Sequence, residues 1–132
     1  MDAQTCLKKL EYVGTLAFAT VDKDRNPQIR NISAIRYEND GMYFFTARGK
    51  NFCRELLSDG RVQILGHTKF NEMIRLSAAA KPAADDMQKC YIDKIFSEHP
   101  YLSNVYPDDT RNIGIIFERY IYNPSATKFT KN

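Results

Sequence analysis

Three clusters of turn-forming residues constrain this chain more than anything else in it, because each stands between two short β-prone runs. Residues 22–27 read Asp-Lys-Asp-Arg-Asn-Pro, residues 38–41 Glu-Asn-Asp-Gly, and residues 68–71 Thr-Lys-Phe-Asn. Asp-Gly tolerates the positive φ of a tight hairpin, and Asp and Asn ahead of Pro favour reversal. Strands joined this closely run antiparallel, since a parallel pair needs a crossover of a dozen or more residues.

The flanking runs fit that scheme. Residues 15–21 are apolar and β-prone, 28–37 alternate imperfectly, and 42–46 return as a core strand. Residues 61–67 and 72–80 form a further pair, and 112–122 a last strand before Pro124 and a polar tail end the domain. Residues 3–12, with Cys6, Leu7 and Leu10 at helical spacing, and residues 83–96, with Met87, Tyr91 and Ile95 four apart, are predicted helices. Pro82 suits the entry to the second. Between them, Asn51 is a candidate N-cap for a helix burying Phe52, Leu56 and Leu57 and stopping at Ser58-Asp59-Gly60. The sum is mainly β: about six strands with two or three helices, an antiparallel sheet closing into a small barrel. One domain over residues 1–132 is expected, with its core at about 7–122.

Lys and Arg number 19 against 16 Asp and Glu, a net charge of +3, too small to imply nucleic acid by itself. Basic and acidic residues are also interspersed, which counts against the continuous groove of a single-strand-binding barrel. The N-terminus lacks the cationic start and apolar block of a secretory signal, and no apolar run reaches membrane-helix length. Cys6, Cys53 and Cys90 are widely spaced, as expected of reduced, mostly buried thiols in a cytoplasmic protein. The Asn31-Ile32-Ser33 sequon therefore has no glycosylation context. His67 and His99 have no Cys or carboxylate at ligand spacing, and Gly49-Lys50 lacks the Ser or Thr of a P-loop.

Residues 46–51, Thr-Ala-Arg-Gly-Lys-Asn, have the chemistry of a phosphate cradle. A hydroxyl, two cations and an amide cluster where a helix start adds unpaired N–H groups and partial positive charge. The same residues also read as an ordinary helix entry, Thr46 as a β-prone packing residue and Arg48 as a solvated loop cation. Arg30 is either a solvent-facing strand charge or an anion contact. Asn31 and Ser33, polar on a strand expected to be buried, need partners, which a ligand, a dimer contact or an exposed edge would supply. Arg75 alternates outward from Ile74 and Leu76, and Tyr101, Tyr106, Tyr120 and Tyr122 are either core or the wall of a pocket.

The order helix, strand, Asn-Pro turn, strand from Arg30, Asp-Gly hairpin, Tyr-Phe-Phe-Thr, Lys-Asn helix and a hairpin with Ile-Arg-Leu resembles the FMN-binding split-barrel family related to pyridoxamine 5′-phosphate oxidase. The resemblance spans roughly residues 7–122. It implies a six-stranded antiparallel split β-barrel with flanking helices, a homodimer with FMN at the interface, and a flavin-dependent oxidoreductase acting on a small molecule. Residues matching the family's ring-binding strand are Arg30, Asn31, Ile32 and Ser33. Those matching its phosphate side are Phe45, Thr46, Arg48, Lys50 and Asn51. Met73 and Arg75 match a hairpin that approaches the flavin from the partner subunit. Asn51-Phe52 stands where the oxidase has two basic residues, Met73 replaces a Gln or Trp, and the oxidase's substrate-binding C-terminal region has no counterpart. The implied substrate is thus not pyridoxamine phosphate. A reduced nicotinamide nucleotide is the implied electron donor. A flavin carrier or sensor without turnover, a deazaflavin protein, or a haem protein using His67 or His99 remain alternatives within the fold.

Overall fold

The structure is a computed structural model describing residues 2–38, 41–106 and 114–128. It begins with helix α1, Ala3–Val13, capped by Asp2, whose side chain accepts the Thr5 N–H at 2.8 Å. Cys6, Leu7 and Leu10 form its buried stripe, and Gly14, at φ +88°, ends it in a conformation few other residues adopt. Strands β1, Leu16–Val21, and β2, Pro27–Ile32, pair antiparallel around a turn in which Asp22 accepts the N–H groups of Asp24 and Asn26.

The run expected to be one strand over residues 28–37 is two. Strand β2 pairs with β1, the chain breaks at Ser33-Ala34, and β3, Ile35–Tyr37, pairs with β4, Met42–Ala47. Alternation reports which face a side chain takes, and is blind to a change of partner strand. After helix α2, Asn51–Ser58, come β5, Arg61–His67, and β6, Glu72–Pro82. Helices α3, Asp85–Glu98, and α4, Leu102–Val105, precede the last strand, β7, Gly114–Lys128. Among the described residues the sheet therefore has seven strands, in the order β2-β1-β5-β6-β7-β4-β3, with every pair antiparallel. Its two edge strands, β2 and β3, follow one another in the chain. That covalent link curls the sheet round on itself into a half-barrel.

Two cores result. Phe18, Phe44, Phe52 and Phe117 fill the inside with Leu10, Leu16, Ile64, Ile74 and Leu76. Phe18 and Phe44 meet edge to face at 5.1 Å. Each such side chain contributes about 1.5–3 kcal/mol by leaving water. Outside β4 and β7, a second core joins Phe45 and Ile116 to Tyr91, Ile92, Ile95 and Phe96 of α3 and Leu102 of α4. Gln88 fixes α3 there, its amide donating to the carbonyls of Ala83 and Ile116 and accepting the Ile116 N–H.

Several expected boundaries move. Pro82 closes β6 and does not enter α3; Asp85 and Asp86 occupy the first turn of α3. Met87 is 37% exposed, at the rim of the face formed by Tyr91 and Ile95. Leu57 is 50% exposed, and Glu55 takes the inward position instead. Strand β7 continues past Tyr122 and Pro124 to Lys128, because the long β6 offers it backbone partners as far as Glu72. Cys6 and Cys53 are buried as expected; Cys90 is exposed on α3. Among the described residues no helix is long and apolar enough to cross a membrane.

Candidate functional site

The turn from β4 into α2 is built around Gly49, whose φ of +93° reverses the chain. Lys50 is the N-cap, Asn51 the first helical residue, and no side chain caps the helix. Asn51 does not cap because its side-chain oxygen accepts from Arg54, which also donates to the Gly49 carbonyl at 2.7 Å. The exposed Arg48, Lys50 and Arg54 thus ring a helix start whose first amide groups have no side-chain acceptor. Among the described residues no carboxylate pairs with any of the three. Such an arrangement favours an anion at that point, through the N–H groups, the helix dipole and the cations together.

Lys50 Nζ donates to the Tyr106 hydroxyl and lies 4.8 Å from its ring centroid, so the contact is with the oxygen at the ring's rim more than with its face. The Tyr106 ring meets Phe45 edge to face at 5.2 Å. At the other end of α4, the Tyr101 hydroxyl is 2.5 Å from that of Ser33, at the break between β2 and β3. Ser33, Phe45 and Lys50 are thereby gathered around one short helix. Thr46 is buried beside Phe45, and Arg48 projects from the turn.

The other expected site residues divide between the faces of the sheet. Arg30 and Ile32 turn inward. Arg30 Nη1 donates to Thr20 Oγ1 at 2.5 Å and Nη2 to Glu55 Oε1 at 2.8 Å, while its guanidinium lies 4.6 Å from the centre of the Phe52 ring. Thr20 also donates to Glu55. Arg30 is neither a solvent-facing charge nor an unengaged anion ligand: it neutralises a buried carboxylate. Glu55 is the residue the sequence reading missed, and its signal was a charge three residues after Phe52, on the apolar side of the helix. Asn31, Met73 and Arg75 occupy the outer face. The register Asn31–Ala17–Leu65–Arg75 runs straight across four strands, which puts Asn31 and Arg75 about 14 Å apart within one chain.

A curled antiparallel sheet with an anion-favouring helix start beside its strand break defines a split-barrel fold. Residues 3–122 match the family described as pyridoxamine 5′-phosphate oxidase, and the chain belongs to that family. No curated protein sequence matches the chain. Solved structures share the fold. A NimC/NimA family protein from Clostridium acetobutylicum is 21% identical with a TM-score of 0.75, over 96% of this chain and 88% of that one. An FAD-binding protein from Mesorhizobium loti is 16% identical at 0.72, over 96% and 92%. The haem storage protein HutZ from Vibrio cholerae is 14% identical at 0.70, over 97% and 95%.

Proposed function

We propose that the protein binds FMN non-covalently and acts as a flavin-dependent oxidoreductase on a small molecule, as a homodimer with two sites. The observation that carries this reading is the uncapped start of α2 among Arg48, Lys50 and Arg54, next to a strand break that presents Ser33. Lys50, Arg48 and the first amide groups of α2 hold the phosphate. Ser33 and Asn31 bond the polar edge of the ring. Bound flavin supplies the hydride or electron transfer; the chain supplies position and field. No protein general acid or base is assigned.

The outer sheet face supports a second copy. Ala17, Ala19, Ile29 and Leu65 form a small apolar patch on it, and Ile29 is 71% exposed. Packing two such faces together brings the second copy's Met73 and Arg75 towards the strand that carries Asn31. The distance of those residues from Asn31 within one chain supports their acting from the second copy.

The test is the visible spectrum of the purified protein, with chromatography of any small molecule released by heat and sedimentation to give the oligomeric state. A flavin spectrum, released FMN, a dimer and oxidation of a reduced nicotinamide nucleotide are expected. A colourless monomer that fails to bind added FMN refutes the reading. Haem is the second reading, because exposed His67 lines a groove of about 930 Å³ beside α1, whereas His99 is engaged with the Ile35 carbonyl. A haem titration of the same sample, with His67→Ala as control, separates the two.

A further inference from the structure

The residues assigned to the two ends of the flavin are both in contact with tyrosines at the ends of α4. Tyr106 accepts from Lys50, on the phosphate side, and Tyr101 pairs with Ser33, on the ring side. Helix α4 is a single turn, too short to be stable by its own backbone bonds. It is held by Leu102, which is buried in the outer core, by the Leu102 N–H on the His99 carbonyl at 3.0 Å, and by the Tyr106 ring on Phe45. The rest of its surface is exposed, Val105 and Tyr101 included. A short, exposed segment anchored by Leu102 in the outer core can release its terminal hydroxyl contacts while staying tethered.

Resting on the flavin reading, we propose that α4 is a strap that competes with the cofactor for Lys50 and Ser33, and that Tyr106 makes the site selective for phosphorylated flavin. A phenol oxygen is a neutral acceptor. A phosphate is an anion, and its bonds to the same ammonium add an ion–ion attraction that the phenol lacks. FMN therefore takes Lys50 from Tyr106, and the phenol turns to solvent. Riboflavin has nothing with which to displace it, and meets a closed strap.

Tyr106→Phe tests this, because it keeps the ring on Phe45 and removes only the oxygen that occupies Lys50. Flavin fluorescence titrations are made with FMN and riboflavin on the wild type, Tyr106→Phe and Tyr101→Phe. Removing the competitor is expected to tighten FMN by up to about tenfold and riboflavin by at least as much, so that the preference for FMN over riboflavin narrows. Hydrogen exchange of residues 101–106 is expected to rise when the wild type binds FMN. A wild type that binds FMN with unchanged or weaker affinity in Tyr106→Phe, or with unaltered exchange at α4, overturns the strap and leaves the flavin reading standing. Binding by Tyr106→Phe alone supports the strap. Failure of every variant to bind FMN overturns the flavin reading and the strap with it.

Discussion

Arg30 and Glu55 meet at 2.8 Å across β2 and α2, with the carboxylate only 7% exposed and the arginine 23%. Removing one partner of such a pair leaves a buried charge uncompensated, at about 3–5 kcal/mol, whereas exchanging both for apolar residues is often nearly neutral. Glu55→Ala is therefore expected to lose about 3 kcal/mol in urea unfolding, and Arg30→Met with Glu55→Leu much less. A Glu55→Ala loss below about 1 kcal/mol would show that the pair is hydrated and loose.

The three thiols are expected to react at very different rates. Burial raises the Cys6 and Cys53 thiols above their ordinary value, against the opposing pull of Arg48 and Arg54 on Cys53, while Cys90 is exposed. Thiolate is the reactive form. An aromatic disulfide reagent should label one thiol quickly in the native protein and all three in denaturant. Cys90→Ser should abolish the fast phase and nothing else.

Asp59 is expected to titrate far below its usual range. The Arg61 side chain, helped by the Arg61 backbone N–H, holds its carboxyl down to about 2 from 3.8. Because the folded value lies below the unfolded one, the pair's contribution is complete above about pH 4 and is lost as pH falls towards 2. Carboxyl-carbon NMR should give a midpoint of about 2 for Asp59. Arg61→Gln should return that midpoint towards 3.8.

Two glycines mark where elements approach too closely for a side chain. A Cβ on Gly66 would overlap the tip of Leu10, where α1 crosses β5; one on Gly60 would overlap the Ala80 carbonyl oxygen. A leucine tip swings aside, and a backbone oxygen within strand β6 does not. Gly66→Ala should cost about 1–3 kcal/mol in thermal unfolding, and Gly60→Ala more.

The hairpins were legible because turn chemistry is local: Asp22, Gly41 and the Thr68–Asn71 reversal each announce themselves within a few residues. The strand break at Ser33-Ala34 was not, since it depends on β4 and β7 lying on the far side of the sheet. Lys50, which the family order assigns to the phosphate side, is the N-cap of α2. Its contact with Tyr106 joins residues 56 apart in sequence, which no spacing rule encodes. The pairing of Arg30 was hidden for the same reason. A lone arginine on a strand looks identical whether it faces water or a carboxylate on a helix three elements later.

Among the described residues, β7 is the strand that pairs with both partial sheets: β2-β1-β5-β6 on one side and β4-β3 on the other. The β3–β4 hairpin is complete by Ala47, yet its sheet partner begins at Gly114. During synthesis, the open edges of β4 and β6 must wait for the strand that satisfies both. Such waiting edges invite pairing with other chains. Closure is a single late event with long loops to bring together, and the protein should fold as one slow cooperative step, largely after the whole sheet has left the ribosome.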